Sequence, residues 1–593
     1  MLKKASINIT LNIQGPILCK AIASSSWGID ATFDRNYKGI PYIDRSHIKG
    51  KLKEALKELV ANTDDINNWL GKGDSDGGML IISDFYFEHC PSTVRYDNRL
   101  TRTKMDRERG VVDDTALLYM ENAFPLKDMP YEWNGRIEFI ADDATIGTIY
   151  TEVVAGLKWI TAVGAEKSVG FGKIVSIEAK EPDKQDLNLP VSLPEVNPSE
   201  EWFTVTIKAE EPILIGGVQR AANYRESESI IPGGMIKGTL AATLNMLCGV
   251  DNPVSTSINE NNGKVSAHYK ALAKHFSNIR FTHAFPTTDS TRPVVIPYSA
   301  VAEGNNFYDA ALDDDVKLVN GKAPVFQTDW KEYPHYFGWA YPRYIAKTRT
   351  GIDENLRRAE DNMMFTYQYV CPVDGDDNKI IWRGLIRLPE EDRASLHAEL
   401  LDVIPRITRM GKRRSKVKVS IAPGKCSNAE PENDPIAGNG DIIISLQSDA
   451  LMVNPDDMPK KQQTAEKLRD LYKQYWGGAS GKSMEMVRFF AHQKLLGGYL
   501  VKRHDGKYYP FYLTGAGSVF VLKISNKETA LRKIEEWKTK GLPAPDWVKI
   551  KYRETGKELW QTCPFFPENG YGEVMVNLRW HFDNRIENAG GAK

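Results

Sequence analysis

Alternating apolar and polar positions mark the first strand of the chain. Residues 5–13 (ASINITLNI) carry an apolar side chain at every second position, and residues 202–210 (WFTVTIKAE) repeat the alternation. A period of two is typical of a strand with one buried face. Each stretch is followed, some twenty to thirty residues later, by a helical pattern, KLKEALKELVA in one case and TLAATLNML in the other. The pattern therefore predicts a strand, a long loop and a helix, in that order, twice along the chain.

A short repeat marks the start of both helices. Residues 40–52 read IPYIDRSHIKGKL, and residues 229–240 read SIIPGGMIKGTL. Both carry Ile, four residues, and then Ile-Lys-Gly-x-Leu. Because the same order and spacing occur twice, we interpret the two regions as duplicated modules.

The first copy continues with four further elements. These are a strand at 79–89, a strand at 131–140, a helix at 146–163 and a strand at 170–179. With the first strand and helix they give the order β-α-β-β-α-β, which is the ferredoxin-like (RRM-like) arrangement of an α+β protein. A polar insertion, about residues 90–125, interrupts it.

Two polar, proline-containing segments indicate where the domains end. Residues 182–200 predict a linker, and residues 423–441 predict a second boundary or a large loop. A single core rarely exceeds about 250–300 residues, and the chain has 593. We therefore predict a first module at 1–181, a second at 201–422 and a C-terminal ferredoxin-like half of the second at 423–593.

Composition narrows the class of protein only a little. Hydrophobic residues make up 41% of the chain and charged residues 26%, which is ordinary for a soluble globular protein. No apolar stretch is long enough to span a bilayer, the N-terminus lacks a signal-peptide core, and the six cysteines form no Cys-x-x-Cys pair. These features predict a cytoplasmic protein with no membrane partner, zinc site or disulfide framework.

Charge is nearly balanced overall but uneven along the chain. The net charge is −1, yet three segments are locally basic: 99–109, 406–419 and 522–551. Nucleic acids are held by local basic surface rather than by a basic total, so the balance does not exclude such a partner.

The repeated helix start is the first candidate site. Ser46 is a credible N-cap, His47 and Lys49 lie in the first turn, and Lys51 follows. A helix N-terminus with a nearby lysine can hold a phosphate, and Lys237 repeats the lysine in the second copy. The alternative is an ordinary capped helix with a solvated lysine.

The loop GAEKSVGFGKIV (164–175) is the second candidate site. Glycines permit positive φ and close approach of a ligand backbone, and lysines add positive charge for phosphate. The alternative is a tight turn, in which the phenylalanine packs rather than stacks. ENGYGEVMV (568–576) repeats the Gly-aromatic-Gly form, whereas GKRRSKVKVSI (411–421) keeps the charge without the paired glycines. The candidate phosphate ligands of these loops are Lys167, Ser168, Gly170, Phe171, Gly172, Lys173, Lys412, Arg413 and Arg414.

These motifs resemble those of the RAMP superfamily of CRISPR proteins. Residues 1–180 are similar to the repeating backbone subunit of type III complexes through the I-P-Y-I…S-x-I-K-G-x-L segment, the insertion TRTKMDRERGVVDDTALLYMENAFP (101–125) and the S-V-G-F-G-K loop. The insertion resembles that family's thumb, a basic hairpin that wedges between guide and target RNA. The resemblance implies RNA contacts by Arg102, Arg107 and Arg109. Asp44-Arg45 departs from the Pro-Gly that is usual there.

Residues 200–593 resemble the cap subunit of the type III-D branch, which holds the 5′ tag of the guide. The segments IIPGGMIKGTL, RMGKRRSKVKV, YYPFYLTGAGSVFVL (508–522) and WQTCPFFPENGYGEVMVN (560–577) carry the likeness. The partners that the resemblance implies are CRISPR guide RNA, target single-stranded RNA, other RAMP backbone subunits and the large signalling subunit of a type III complex.

Asp30 is the candidate catalytic residue. It lies in the loop between the first strand and the lysine helix, where the resemblance places an aspartate that cleaves target RNA. The resemblance implies a divalent metal with Asp30 as a ligand, and Mg²⁺ is the default ion for carboxylate and phosphate oxygens. Asp30 could instead deprotonate a ribose 2′-hydroxyl. Asp34 competes on the same loop, and the second copy has Val218 at the position equivalent to Asp30, so we expect it to bind RNA without cutting.

Two other functions stay open at this point. The chain could be a non-catalytic scaffold that binds and caps the guide. It could also be a guide-processing endoribonuclease, in which His47 would be the general acid or base.

Overall fold

The computed structural model describes most of the chain. The described residues are 2–21, 28–59, 62–72, 78–87, 99–103, 105–106, 108–113, 116–125, 130–187, 196, 200–221, 223–303, 306–313, 336–352, 359–426, 440–458, 465–496, 511–553 and 559–586. Contacts divide the chain into two compact units. Unit one comprises 1–189, 218–226 and 345–369, and unit two comprises 190–217, 227–344 and 370–593. No helix in the described ranges is both long and apolar enough to cross a bilayer.

The first module fills most of unit one. Its elements are β1 (Leu2–Gln14), β2 (Tyr42–Ile43), α1 (Arg45–Leu59), α2 (Thr63–Leu70), β3 (Ile81–Ile82), β4 (Phe85–Phe87), β5 (Arg99–Arg102), β6 (Leu118–Glu121), β7 (Tyr131–Asp142), α3 (Asp143–Trp159), β8 (Lys173–Ala179) and β9 (Asp183–Asp186). The sheet order β4-β7-β1-β8, with all these neighbours antiparallel, is that of a ferredoxin-like fold. The fold class predicted from the sequence is confirmed.

Burial follows the sequence pattern. The alternate residues Ile7, Ile9 and Leu11 of β1 are at most 1% exposed, and α1 buries Ile48 and Leu52 four positions apart. The strand β9 lies inside the segment predicted as a linker. It pairs with the N-terminal part of β1, from Lys3 to Ser6. The module therefore ends with a short added strand.

The second module repeats the topology in unit two. In chain order, the elements from residue 202 to residue 423 are β10 (Trp202–Ala209), β11 (Gly216–Ala221), β12 (Tyr224–Ser227), α4 (Gly233–Leu247), α5 (Gly263–Ser266), α6 (Lys270–His275), β13 (Arg280–Phe281), β14 (Phe285–Thr287), β15 (Ala300–Glu303), β16 (Asn306–Asp309), β17 (Tyr344–Ile352), β18 (Ala359–Val370), β19 (Ile381–Arg387), α7 (Arg393–Val403), β20 (Arg409–Met410) and β21 (Ser415–Pro423). Of these, β11, β12, β17 and β18 lie largely in unit one. The order β13-β19-β10-β21 matches that of the first sheet.

A third sheet of the same order closes unit two. Its elements are β22 (Asp441–Leu446), α8 (Ala465–Ala479), β23 (Met484–Phe490), β24 (Gln493–Leu496), β25 (Phe511–Thr514), β26 (Val519–Ile524), α9 (Lys527–Lys540), α10 (Asp546–Tyr552), α11 (Leu559–Thr562), β27 (Val574–Val576) and α12 (Trp580–Asp583). The order β23-β26-β22-β27 is again ferredoxin-like.

A hairpin from the middle of the chain completes unit one. Strands β11, β12, β18 and β17 form a four-stranded sheet in that order. Residues 345–369 group with the first module rather than with their sequence neighbours. The sequence pattern of this region predicted no element of unit one. The hairpin supplies the charged residues that contact the start of α1, described below.

The glycine loops adopt one local form in two modules. In the first, a 3-10 turn at Lys167–Val169 leads to Gly170 and Gly172 with φ of 91° and 62°. In the third, a 3-10 turn at Pro567–Asn569 leads to Gly570 and Gly572 with φ of 95° and 67°. Positive φ explains why glycine is required on both sides of the aromatic residue.

Gly172→Ala is expected to destabilise the first module by about 2–4 kcal/mol, because φ is positive and an added Cβ would lie 1.9 Å from the Val163 carbonyl oxygen. Calorimetric unfolding measures the loss. The matched control is Gly50→Ala in α1, where a Cβ meets nothing within 4 Å. That variant should gain about 0.5–1 kcal/mol. Equal effects of the two substitutions would contradict the assignment of strain to Gly172.

Candidate functional site

Asp30 is held in a fixed orientation while it faces solvent. Its backbone N–H donates to the Tyr119 carbonyl oxygen at 2.8 Å, and the Tyr119 N–H donates to Asp30 Oδ2 at 2.8 Å. The next residue, Ala31, forms a parallel bridge with Met120 of β6. These bonds tie the Asp30 loop to the hairpin β5–β6, the described base of the insertion that resembles a thumb.

Glu121 anchors the same loop from inside. Its carboxylate is 4% exposed, accepts from the Phe33 N–H at 2.8 Å and pairs with both terminal nitrogens of Arg35. The sequence argument quoted this glutamate only as part of the insertion at 101–125 and gave it no role. Its buried pairing gives it a structural role in positioning Asp30.

Two contacts bring the glycine loop to the same edge of the module. Arg102 of β5 pairs with Glu166, which has positive φ in the glycine loop. The Gly164 N–H donates to His47 Nε2 at 2.9 Å, which joins the loop to the first turn of α1. The Asp30 loop, the hairpin, the glycine loop and the start of α1 are therefore linked in one contiguous arrangement.

His47 is a positioning residue in this geometry. Burial lowers its pKa to about 4, with Lys167 and Lys51 adding to the effect. The imidazole is neutral near pH 7, and its Nε2 lone pair accepts the Gly164 N–H. The Nε2 atom is therefore not placed to move a proton on an RNA.

The candidate cations differ in their exposure. Lys173 and Ser168 are exposed, and Arg109 has an 81% exposed side chain 3.8 Å from Asp106. Lys51 pairs with Glu54 at 2.6 Å, and Lys49 is half-buried. Lys167 is exposed beside Ser168, and Arg107 lies outside the described residues.

Phe171 is placed differently from the RNA-binding role predicted for it. Its ring is 5% exposed and belongs to the core of the first module. The Gly172 N–H next to it donates to the Pro16 carbonyl oxygen at 2.8 Å. The ring therefore packs and cannot stack on a base, which corrects the prediction.

The Ser46 hydroxyl is engaged within the protein. It donates to Asp44 Oδ1 at 2.6 Å and accepts from Arg349 of the β17–β18 hairpin. Arg349 also donates to both Asp44 oxygens, at 2.9 and 2.8 Å. The spot at the start of α1 that was predicted to receive an RNA phosphate thus receives a guanidinium, which corrects the assignment of Ser46.

Electrostatics support the Asp44–Arg349 pair. Burial by itself raises the pKa of Asp44, but Arg349 and the Ser46 hydrogen bonds outweigh it and lower the pKa to about 2. Asp44-Arg45 is the departure from the family pattern, and its second residue is also paired, because Arg45 binds both oxygens of Asp84 at 3.0 Å. The departure is therefore accounted for by two bidentate ion pairs.

Asp34 lies beside this cluster. Its Oδ2 accepts from the Tyr42 hydroxyl at 2.9 Å and lies 4.0 Å from Lys347 Nζ, which sits over the Tyr42 ring at 4.1 Å from its centroid. Burial raises the pKa of Asp34 to about 6, against the lowering effect of Lys347. Asp34 therefore makes structural contacts with Tyr42 and Lys347, whereas Asp30 is exposed.

Lys237 of unit two is a structural lysine. It is 9% exposed, and its Nζ donates to the Ser277 and Ile279 carbonyl oxygens at 3.0 Å each. Burial lowers its pKa to about 8. The ammonium is thus turned into the protein, and the predicted phosphate contact is corrected.

The arginine-rich loop of unit two has two residues with positive φ, as the glycine loops do, but only the first of them is a glycine. Gly411 has φ of 81° and Arg414 has φ of 51°. Lys412 is exposed, Arg413 is half-buried, and burial lowers the pKa of Arg414. Sequence reasoning identified the charge here, and the structure adds the left-handed backbone at both ends of the turn.

Exposed apolar side chains on the insertion were missed by the sequence argument. Met105, Val111, Val112 and Leu117 are 48–55% exposed, and Tyr119 is 36% exposed. Apolar side chains among the basic residues of an insertion are a signal for an unstacking wedge.

Metal-ligating groups do not gather in threes around Asp30 in the described part of the chain. The described cluster that does so is His275, Glu391 and Asp392, where Lys274 already contacts Asp392 at 3.1 Å. A Mg²⁺ ion commonly uses one or two carboxylates together with waters and substrate phosphates. The single exposed carboxylate of Asp30 fits an ion that arrives with a phosphate, and does not fit a preformed protein site.

Arg349→Ala should lower the stability of unit one by about 3 kcal/mol, since it leaves the Asp44 carboxylate buried without its cation. Calorimetry measures the shift of the affected transition. The control is Arg579→Ala, whose pair with Asp583 is 78% and 57% exposed and should contribute less than about 0.5 kcal/mol. Identical shifts for the two variants would refute the role assigned to Arg349.

Asp34→Asn should stabilise unit one at pH 7.5 by about 1–2 kcal/mol. Because the pKa is raised from 3.8 to about 6 on folding, the folded state binds more protons than the unfolded state in that window, and this group makes stability fall as pH rises. The advantage of the variant should therefore vanish near pH 4. Melting temperatures of both proteins across pH 4–7.5 test this, and a pH-independent difference would disprove it.

Comparisons with known proteins agree with the fold described above. Residues 23–175 match the family model of the RAMP superfamily. No curated protein matches the chain. Two solved chains of the Type III-B Cmr-beta complex also match. In the complex bound to cognate target RNA, the match has 10% identity and a TM-score of 0.31, and covers 63% of this chain and 96% of that one.

In the complex bound to target RNA and AMPPnP, the second match has 11% identity and a TM-score of 0.29, and covers 54% of this chain and 86% of that one. Both TM-scores are too low to carry an argument, so the likeness to the RAMP superfamily depends on the family model alone. Residues 23–175 of this chain are similar to the RAMP superfamily.

Proposed function

We propose that this chain is a guide-RNA-binding subunit of a type III CRISPR ribonucleoprotein and that its first module cleaves target RNA at Asp30. The observation that carries the proposal is the placement of Asp30. Its carboxylate is exposed, fixed by the Tyr119 N–H at 2.8 Å, and linked through the β5–β6 hairpin to the glycine loop and to α1. A catalytic carboxylate requires this combination of access and fixed orientation.

The RNA backbone is expected to follow the exposed cations of this edge. Lys173 and Lys167 on the glycine loop and Arg109 on the insertion offer positive charge, which supplies most of the sequence-independent affinity for RNA. The apolar side chains Met105 and Val112 would separate neighbouring bases, so that the strand turns away from helical geometry beside Asp30.

Cleavage would follow from attack within the target strand. The 2′-hydroxyl oxygen bonds to the adjacent phosphorus, its proton passes to Asp30, and the bond from phosphorus to the 5′-oxygen breaks as that oxygen takes a proton from water. A strand turned by the apolar side chains brings the 2′-oxygen towards the in-line position. A divalent ion, when carried in by the phosphate, would neutralise charge on the non-bridging oxygens and share the Asp30 carboxylate.

Unit two is proposed to bind the 5′ tag of the guide. Two motifs that resemble the cap subunit meet at Asp449: the Ala516 N–H of the GAGS turn donates to its Oδ1 at 2.7 Å, and the Gly572 N–H of the GYGE loop donates to its carbonyl oxygen at 2.9 Å. Lys494 pairs with the same carboxylate at 3.0 Å. This convergence supports a shared role of the two motifs.

A guide-processing endoribonuclease is a weaker interpretation. It requires a histidine that exchanges protons near neutral pH, whereas the pKa of His47 is lowered to about 4 and its Nε2 accepts from Gly164. A non-catalytic scaffold is the remaining alternative, and the next experiment separates it from the proposal.

Asp30→Asn in the assembled ribonucleoprotein should lower the rate of target cleavage by about a hundredfold or more and leave target affinity within about twofold. The reason is that the amide keeps the acceptor for Tyr119 but neither takes a proton nor binds a cation. Gel analysis of end-labelled target RNA and filter binding provide the two readouts. EDTA should abolish the same cut, and Mg²⁺ should restore it.

The matched control is Glu152→Gln, a half-buried carboxylate on α3, which should cut at the wild-type rate. Unchanged cleavage by the Asp30→Asn particle would leave the scaffold function. Cleavage that depends on Asp30 but survives EDTA would assign Asp30 the role of base alone.

A further inference from the structure

The third module contains a cavity that none of the interactions above uses. It encloses about 500 Å³ between α8, the segment that follows β22 and the start of α10. Its floor is apolar and buried, and includes Met452, Leu471 and Tyr475 at 3–8% exposure. Its size falls in the range of about 300–1,000 Å³ that protein cavities use for ligands. The cavity can therefore accept one large apolar side chain or a group of similar size.

The charge of the lining limits what enters. Two carboxylates, Asp457 and Asp546, are exposed at the mouth, and the described residues that line the cavity include no lysine, arginine or histidine. The neighbouring Asp456 pairs with Lys551 at 2.8 Å, so Asp457 and Asp546 are the charged side chains among the described residues that line the cavity. A phosphate would be repelled here, whereas an ammonium or guanidinium would be attracted.

An exposed apolar face continues from the mouth. Ile550 of α10 is 81% exposed, and it lies three positions after Trp547, which lines the cavity. Residues three apart share one face of a helix. The opposite face of α10 is fixed in the core through Val548 and Tyr552, both fully buried. Ile550 therefore lies beside the cavity, and we term the cavity, the two carboxylates at its mouth and Ile550 the acidic-rimmed groove.

We propose that the acidic-rimmed groove binds a protein segment of a partner subunit, in which one large apolar side chain sits in the cavity and a neighbouring lysine or arginine contacts Asp457 or Asp546. Charge complementarity selects this occupant, since the rim disfavours nucleic acid and acidic peptides. A deep apolar anchor surrounded by charge pairs is the usual form of a strong protein contact. The proposal is independent of RNA cleavage, so Asp30→Asn should leave it unchanged.

Cross-linking in the purified ribonucleoprotein is the first test. Gln474 lines the mouth and is exposed, so a photoreactive phenylalanine placed there reports what lies in the groove. The expected product joins Gln474→benzoylphenylalanine to another chain, at a peptide with an apolar residue within a few positions of a lysine or arginine. A cross-link to RNA, to a second copy or to this same chain would overturn the proposal, as would no cross-link.

A cavity-filling substitution provides the second test. A Cβ added at Gly478 meets nothing within 4 Å, so both Gly478→Phe and the control Gly478→Ala can fold. The probe is a fluorescent peptide with one tryptophan between lysines, measured by anisotropy. Gly478→Phe should weaken binding about tenfold, and Gly478→Ala should leave it within about twofold. The same peptide with glutamates in place of lysines should not bind.

Three outcomes would count against the groove as a peptide site. The first is equal affinity of the wild type and Gly478→Phe, which would indicate binding elsewhere. The second is displacement of the peptide by single-stranded RNA, and the third is self-association of the chain that Gly478→Phe abolishes.

Discussion

Close contact between backbones at the glycine loop is the constraint on which the arrangement of the first module depends. The Gly172 N–H reaches the Pro16 carbonyl oxygen at 2.8 Å, and the Ala165 N–H reaches that of Leu18 at 2.8 Å. Any side chain at position 172 would overlap the Val163 carbonyl oxygen. These contacts fix the loop against the segment that follows β1, and the loop in turn fixes α1 through His47 and the thumb-like hairpin through Arg102. Asp30 is therefore positioned by a chain of contacts that starts from a residue with no side chain.

The two copies of the repeated helix start solve one packing problem in different ways. In the second copy the Pro232-Gly233 pair is needed, because a Cβ at Gly233 would lie 2.0 Å from the Phe281 carbonyl oxygen, and its N–H donates to His283 at 3.0 Å. In the first copy Asp44-Arg45 occupies the equivalent positions and forms two bidentate ion pairs. The start of α4 therefore packs closely against backbone atoms, whereas the start of α1 forms an ion pair with Arg349 of the β17–β18 hairpin.

Local patterns in the sequence were sufficient for the fold. Period-two alternation located β1 and β10, the repeated Ile-Lys-Gly segment located α1 and α4, and both helices are observed where the repeat placed them. These signals are local because each reports one face of one element. Asp30, in contrast, was singled out by the resemblance to the RAMP superfamily, which places an aspartate in the loop between this strand and this helix.

Contacts between distant parts of the chain were not accessible to that reasoning. Arg349 meets Asp44 across 305 positions, in a region whose polar sequence gave no readable period. Lys237 was predicted to contact an RNA phosphate, yet the carbonyl groups of Ser277 and Ile279 accept hydrogen bonds from its ammonium group and allow it to stay buried. The type of a residue indicates which ligand its side chain could bind, but its burial decides whether the side chain can reach that ligand.

The same distinction separates function from structure in unit two. Ser445 Oγ lies 2.7 Å from His581 Nε2, and His581 Nδ1 lies 3.0 Å from Asp309, which also accepts from Ser299 at 2.8 Å. The residue types and distances resemble those of a nucleophilic triad. All of these side chains are 0% exposed, so no substrate reaches the hydroxyl, and burial of Asp309 is offset by His581 to leave its pKa lowered. The network is a fully buried polar core, whereas the Asp30 carboxylate accepts from the Tyr119 N–H and is exposed to solvent. Access, more than the identity of the groups, is therefore the physical reason why we propose catalysis in the first module and not here.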